Sequence, residues 1–267
     1  MKELFVRTLS GLFYVAVLIL SICFSEIAFL GIFLVLGFFV IFEFAKLLRL
    51  KAVLLYLIFA LAAYFVAYLR VDFYAVKLLL ILTCFVNLFL FKDLLVVSII
   101  PMYGRKKYAI SLLYLIGGLL FVMLIPFYQG FFNVLPVMAA FILIWVSDTF
   151  AFLVGKNFGK RKLLERISPK KTVEGFLGGL IACCLAGFLI FKVTKEYTIA
   201  YWVGLAIIAC VFGTIGDLIQ SKFKRQAGVK DSGVLMPGHG GLYDRLDSII
   251  YASPFIYTYL LLTDYVS

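Results

Sequence analysis

The chain has 267 residues, of which 65% are hydrophobic and only 15% are charged. Soluble domains contain about 45–50% apolar and about 25% charged residues, so a soluble enzyme, a disulfide-rich secreted domain and a disordered chain are excluded. The formal net charge of +11 would suggest a nucleic-acid ligand in a soluble protein. In a membrane protein, lysines and arginines that orient the spans explain the same charge, and we expect no nucleic-acid partner.

Continuous apolar stretches predict an all-α, polytopic membrane bundle. Only helices and closed barrels cross a bilayer, and barrel strands would alternate polar with apolar residues. In chain order, nine spans are predicted at 8–24, 27–45, 52–69, 78–98, 109–128, 132–154, 173–192, 197–220 and 246–263. We expect residues 1–130 to form five N-terminal spans and residues 131–267 to form the catalytic region.

The distribution of basic residues predicts the orientation of the bundle. With the N-terminus in the cytoplasm, 21 of the 25 lysines and arginines fall on the inner side. The other four are Arg70, Lys77, Lys192 and Lys195. Because cytoplasmic segments are enriched in basic residues, this split predicts an N-in, C-out, multi-pass protein, in the plasma membrane if the source is bacterial. Two long inner loops, 155–172 and 221–245, place the expected site on the cytoplasmic face.

Several acidic residues lie where they are costly, near the predicted inner ends of spans. A carboxylate in a membrane helix costs about 2.5–3.5 kcal/mol, so such residues indicate a polar site. Asp148 and Asp217 lie within spans six and eight, and Asp244 and Asp247 open span nine. For Glu43, the neighbouring Lys46 and Arg49 predict simple pairing at the interface.

Polar residues around these acids predict a phosphate site with a metal ion. Asp217, Ser221 and Lys224 or Arg225 are spaced to share one helix face. The turn at 237–241 is rich in glycine and precedes a helix, so its N–H groups could cradle a phosphate. A flexible basic loop at 155–159 and a second run of cations at 168–172 would offset phosphate charge. Carboxylates beside phosphates commonly hold Mg²⁺.

The stretch 221–247 closely resembles the phosphatidate cytidylyltransferase signature over 27 residues. The segment 168–172 with Glu174 and Gly175, and Asp148 followed by Gly155, are also similar to that family. Met236 departs from the pattern, which usually has Ile, Leu or Phe there. The resemblance implies that CTP and phosphatidic acid react, with Mg²⁺ and with or without a second metal ion, to give CDP-diacylglycerol and pyrophosphate at the bilayer.

Roles for individual residues follow as hypotheses. The predicted catalytic residues are Asp217, Asp244, Lys171 and Arg245. The predicted metal ligands are Asp148, Asp217, Asp244 and Asp247. The predicted substrate-binding residues are Lys170, Thr172, Ser221, Lys224, Arg225, Lys230, Asp231, Gly238, His239, Gly240 and Gly241. Because a phosphate is already a competent nucleophile, no histidine or serine base is required.

Other readings of the sequence lead to different functions. A CTP-dependent lipid-alcohol kinase would use similar membrane chemistry but transfer the γ-phosphoryl group. A transporter would place its charges near the bilayer midplane between repeats, whereas these acids lie at inner span ends and no repeat is visible. Small residues at Gly178, Gly179 and Gly187 are candidate contacts for a homodimer.

Overall fold

The computed structural model describes residues 2–70, 73–97, 99–100, 104–236, 238 and 240–266, with side chains from Leu9 to Tyr265. We number its elements in chain order. The helices are α1 (Lys2–Phe24), α2 (Glu26–Leu48), α3 (Val53–Tyr68), α4 (Phe73–Val96), α5 (Lys106–Phe127), α6 (Val134–Phe158), α7 (Val173–Thr194), α8 (Ile199–Gln226) and α9 (Tyr243–Val266), and the strands are β1 (Lys162–Leu164) and β2 (Ser168–Thr172).

The helices confirm a helical, multi-pass membrane protein. Within the described residues, six helices are long and apolar enough to cross a membrane: α2, α4, α5, α6, α7 and α8. Two shorter apolar helices, Leu9–Phe24 and Val53–Tyr68, fall below that length, so the count of nine spans stays a prediction. Helix α9 is not among the six. Its residues Tyr251, Ile256 and Leu260 are buried by neighbouring helices, and a helix that faces protein need not be as apolar as one that faces lipid.

Side chains at one end of the bundle draw several helix termini together. The ammonium group of Lys222 on α8 donates to the carbonyl oxygens of Asp93 and Val97 at the end of α4, each at 2.6 Å. Lys107 at the start of α5 donates to the carbonyl oxygen of Leu48 at the end of α2, at 3.2 Å. A cation at the C-terminus of a helix satisfies free carbonyls and is stabilised by the helix dipole. Lys222 and Lys107, from basic segments predicted to lie on the same side of the membrane, therefore both contact helix C-termini at this end of the bundle.

The opposite end of the bundle is held by a smaller polar network. Arg70, just after α3, pairs with Glu26 at the start of α2 at 2.6 Å. Arg70 also donates to the carbonyl oxygen of Gly130, between α5 and α6. Asn133 and Tyr197 are joined at the same level, at 3.1 Å. The helices thus alternate in direction, as the predicted spans require.

Glycines on α7 let it lie very close to its neighbours within the chain. A Cβ atom at Gly178 would collide with the side chain of Val154 on α6. At Gly179 it would come within 2.7 Å of the carbonyl oxygen of Ser147, and at Gly187 within 2.7 Å of that of Trp202. The three positions proposed for a homodimer are therefore used inside the protomer, because small residues permit close approach of helix backbones.

Two predicted loops are shorter and more ordered than expected. Helix α6 continues to Phe158, and an antiparallel hairpin of β1 and β2 follows, with Lys162 opposite Thr172. The prediction of a flexible basic loop at 155–159 is wrong, because residues 155–158 complete α6 and Gly159 caps its end. The second loop covers only 227–242, since α8 runs to Gln226.

The contact of α5 with α9 gives a test of the packing. We expect Gly118→Ala to lower the thermal unfolding temperature in detergent, because the new Cβ would overlap the carbonyl oxygen of Ile250 on α9. Overpacking of this kind costs about 1–3 kcal/mol. Gly31→Ala on α2 is the matched control, since nothing lies within 4 Å of its Cβ position. Equal unfolding temperatures for the two variants would contradict the packing.

Candidate functional site

A cavity of about 670 Å³ opens at the basic end of the bundle, between α6, the hairpin, α8 and α9. Both polar and apolar side chains line it, including Phe152 and Phe176. Of the predicted site residues, it brings together Asp148, Lys170, Lys171, Thr172, Asp217, Lys224, Asp231, Asp244, Arg245 and Asp247. The cavity therefore joins residues from both of the long loop segments that the sequence singled out.

Some predicted residues do not line this cavity. They are Ser221, Arg225, Lys230, Gly238, Gly240 and Gly241. Ser221 contacts a residue of the cavity lining instead, because its hydroxyl donates to the Oδ1 atom of Asp217 at 3.2 Å. Arg225 instead faces its own loop and donates to the carbonyl oxygen of Val229 at 3.3 Å. His239 lies outside the described residues.

An ion pair between Lys171 on β2 and Asp217 on α8 crosses the middle of the site. Both side chains are half-buried, with exposed fractions of 27% and 29%. Burial by itself disfavours the charge of Lys171, but the Asp217 carboxylate outweighs burial and raises the pKa of Lys171 above its ordinary value. Lys171 is therefore a fixed positive charge at physiological pH.

Three of the four predicted metal ligands, Asp148, Asp217 and Asp247, line this cavity together with Lys171. Asp247 is buried and accepts a hydrogen bond from the backbone N–H of Ser248 at 2.8 Å. Within the described part of the chain, no three histidine, cysteine, aspartate or glutamate side chains converge as a ready-made metal site. A metal ion bound here would therefore need ligands from substrate or water as well.

The donor set is suited to Mg²⁺ even without three converging carboxylates. Mg²⁺ retains waters and is usually held by one or two carboxylates together with substrate phosphates. Six cationic and five acidic side chains line the cavity, so its own charge is nearly balanced. A nucleoside triphosphate brings several negative charges, and neutralising them requires a further cation.

Asp244 differs from the other acids because its carboxylate is already saturated. The Oδ1 atom accepts from the amide of Gln220 at 2.8 Å and from the ammonium of Lys224 at 2.7 Å. The Oδ2 atom accepts from the N–H of Ser232 at 2.8 Å and from the N–H of Gly241 at 2.9 Å. It also lies 3.0 Å from the Ser232 hydroxyl, whose one hydrogen has a shorter acceptor in Glu43 at 2.7 Å. These contacts tie α8 and two points of the 227–242 loop to the first turn of α9.

Glu43 does not pair with Lys46 or Arg49, so that prediction is wrong. Its carboxylate is buried and accepts the backbone N–H groups of Leu242 at 3.0 Å and Tyr243 at 2.8 Å. Those groups belong to the start of α9, where a helix has free N–H donors and favours negative charge. Helix α2 therefore contributes a carboxylate to the segment that carries the site.

This arrangement changes the predicted phosphate cradle. The N–H of Gly241 donates to Asp244, and the next two donors along the chain are bound by Glu43. The N–H of Gly241 is thus bound within the protein itself, and phosphate binding by Gly241 stays a prediction. For Gly238 and Gly240, phosphate binding stays a prediction.

The hairpin is positioned by local hydrogen bonds at the start of α7. The hydroxyl of Thr172 accepts the N–H of Gly175 at 3.1 Å and so caps the helix. Glu174 accepts the N–H groups of Lys160 at 3.0 Å and of Arg161 at 3.1 Å. These bonds fold the hairpin back over the cavity, which places Lys171 opposite Asp217.

Lys156, from the segment predicted to offset phosphate charge, also lines the cavity, as do three polar residues that were not predicted: Lys162, Thr214 and Ser248. Helical spacing could have found Thr214, which precedes Asp217 by three positions and shares its face. Nothing in the sequence indicates where Lys162 lies, because its position depends on the hairpin.

Comparison with protein families decides the relationship. The model of the cytidylyltransferase family matches residues 5–263. The chain belongs to the cytidylyltransferase family. The match includes every element that contributes to the cavity.

Individual cytidylyltransferases are similar over a shorter stretch. A phosphatidate cytidylyltransferase of Staphylococcus saprophyticus is 48% identical over 122 residues, which are 45% of this chain and 46% of that protein. One of Staphylococcus aureus is 45% identical over the same length, and one of Bacillus subtilis is 46% identical over 125 residues. The chain thus matches less than half the length of these curated relatives.

Proposed function

We propose that this protein transfers the cytidylyl group of CTP to phosphatidic acid and releases pyrophosphate, forming CDP-diacylglycerol. The observation that carries the proposal is the cavity in which Lys171 and Asp217 meet beside Asp148 and Asp247. Membership of the cytidylyltransferase family and the printed names of the bacterial relatives support the same reaction.

The position of the cavity suits a lipid and a water-soluble substrate. It lies at the basic end of an apolar bundle, the end that we propose faces the cytoplasm. A lipid phosphate at that interface can enter while its acyl chains stay in the membrane, and CTP arrives from the water side. Because the relatives are bacterial, we propose that the protein resides in the plasma membrane.

We propose that Asp217 and Asp247 hold Mg²⁺ and that Asp148 faces the same ion or a second one. Mg²⁺ supplies charge neutralisation for the phosphates when bound. Asp244 is less suited to this role, because its two oxygens already accept four hydrogen bonds. We therefore assign Asp244 to holding the loop and the start of α9, which revises its predicted role as a metal ligand.

The reaction needs positioning and charge neutralisation rather than a base. A lipid phosphate oxygen attacks the α-phosphorus of CTP, a new P–O bond forms, and the bond to the β-phosphate breaks to release pyrophosphate. Lys170, Lys171 and Arg245 present cations to the phosphates from two sides of the cavity. Lys171 is permanently protonated, so it donates hydrogen bonds to phosphate oxygens and does not accept protons.

Labelled CTP distinguishes this proposal from a CTP-dependent lipid kinase. With purified protein, Mg²⁺ and both phosphatidic acid and diacylglycerol as lipid acceptors, we expect ³²P from the α-position to enter the lipid and ³²P from the γ-position to appear in pyrophosphate. Incorporation of the γ-label into lipid, with release of CDP, would establish the kinase reaction instead. Protein with Lys171→Met is the negative control, because it lacks the central cation.

Aspartate variants separate metal binding from loop positioning. We expect Asp217→Asn and Asp247→Asn to raise the Mg²⁺ concentration needed for half-maximal activity by at least about tenfold. Asp244→Asn should lower kcat and leave that Mg²⁺ concentration unchanged, because it loosens the loop without removing a ligand. A shifted Mg²⁺ requirement in Asp244→Asn alone would reverse these assignments.

A further inference from the structure

Glu43 is a buried carboxylate outside the cavity. It lies near the end of α2, its exposed fraction is 1%, and it is absent from the described lining of the cavity. A charge removed from water is tolerated only when donors surround it. Those donors come from a segment about two hundred positions away in the chain, which is also the segment that carries Asp244 and Asp247.

Each oxygen of this carboxylate has a definite partner. The Oε1 atom accepts the N–H of Leu242 at 3.0 Å, and the Oε2 atom accepts the N–H of Tyr243 at 2.8 Å. The Oε2 atom also accepts the hydroxyl of Ser232 at 2.7 Å. Because Ser232 lies within the 227–242 loop and Tyr243 opens α9, one carboxylate joins the loop to the first turn of α9.

The shape of the loop is fitted to Glu43. A Cβ atom at Gly233 or at Gly241 would overlap its carboxylate, so the backbone passes in direct contact at both positions. Ser232 lies between Glu43 and Asp244 and contacts both, at 2.7 and 3.0 Å. The glycines at these two positions thus make room for a side chain of α2, and access by a phosphate is not needed to explain them.

We infer that Glu43 is a positioning residue for the cytidylyl-transfer site. Its carboxylate sets the rotation and depth of the first turn of α9, so that Asp247 and Arg245 face the cavity and Asp244 reaches Lys224. This inference rests on the proposed function for the identity of the reaction and on the contacts of Glu43 for the role. Displacement of reacting groups by about 1 Å costs up to about a hundredfold in rate, so loss of this anchor should slow turnover.

The test compares Glu43→Gln with Glu26→Gln. Both changes replace one carboxylate of α2 by an amide, but Glu26 lies at the opposite end of the helix and pairs with Arg70. The amide of Glu43→Gln has one acceptor oxygen, so its NH₂ group must face one of the N–H donors that the carboxylate now accepts. Glu43→Asp restores the charge with a shorter reach. Activity, thermal unfolding and backbone hydrogen exchange are measured for all variants.

We expect kcat of Glu43→Gln to fall by about 10- to 100-fold while KM for CTP changes by less than about threefold. Glu43→Asp should recover part of kcat, and Glu26→Gln should stay near wild type. Hydrogen exchange should rise in residues 229–247 of Glu43→Gln and remain unchanged in α4, α6 and α7. Wild-type kcat in folded Glu43→Gln, or exchange that rises equally in all helices, would overturn the inference.

Ser232→Ala keeps the inference testable if Glu43→Gln does not fold. It removes one anchor of the loop without leaving a buried amide, and we expect lower kcat with local exchange at 229–247. Wild-type kcat and exchange in Ser232→Ala would overturn the inference. If the wild-type protein itself forms no CDP-diacylglycerol, the proposed function fails, whereas the exchange results still decide whether Glu43 positions the loop.

Discussion

An ionised carboxylate cannot remain inside an apolar helix bundle without donors or cations around it, and this constraint organises the functional end of the protein. Asp217 is met by Lys171 from the hairpin, Asp244 by Lys224 from α8, and Glu43 by the backbone at the start of α9. Each pairing joins two different elements, and that of Glu43 spans about two hundred positions of the chain. The polar contacts that make the acids tolerable therefore also assemble the cavity.

The acidic residues at this end of the bundle divide into two groups with different roles. Asp244 and Glu43 are saturated by hydrogen bonds and hold the loop between α8 and α9. Asp148, Asp217 and Asp247 line the cavity, where Lys171 pairs with Asp217. A carboxylate whose acceptor sites are all filled by hydrogen bonds fixes the positions of the groups around it. A carboxylate whose charge is incompletely neutralised attracts a cation. The proposed chemistry needs both.

The sequence predicted the parts of the structure that depend on local composition. Long apolar runs were sufficient for the helices, and the costly acids Asp148, Asp217, Asp244 and Asp247 do line one cavity. Contacts between residues that are far apart in the sequence were not predictable. The neighbours of Glu43 in sequence are Lys46 and Arg49, yet its donors come from the beginning of α9. The hairpin was missed for a similar reason, because its strands are short and depend on contacts with α7.

Glycine-rich segments illustrate the same limit. A turn of this kind before a helix usually indicates bound phosphate, and the sequence offers no way to know that Glu43 and Asp244 occupy those donors. Likewise, Gly178 and Gly187 suggested contact between two copies, whereas they allow α7 to pack inside one chain. In both cases the glycine correctly indicated a close approach, but the sequence did not identify the group that approaches it.

The most direct test of the account is a structure of the protein with CTP and Mn²⁺ in place of Mg²⁺, in which anomalous scattering locates the metal. The account predicts metal density against Asp217 and Asp247, the triphosphate in the same cavity, and the ammonium of Lys171 on a phosphate oxygen. Metal density outside this cavity, or a triphosphate bound elsewhere while Lys171 stays on Asp217, would contradict it.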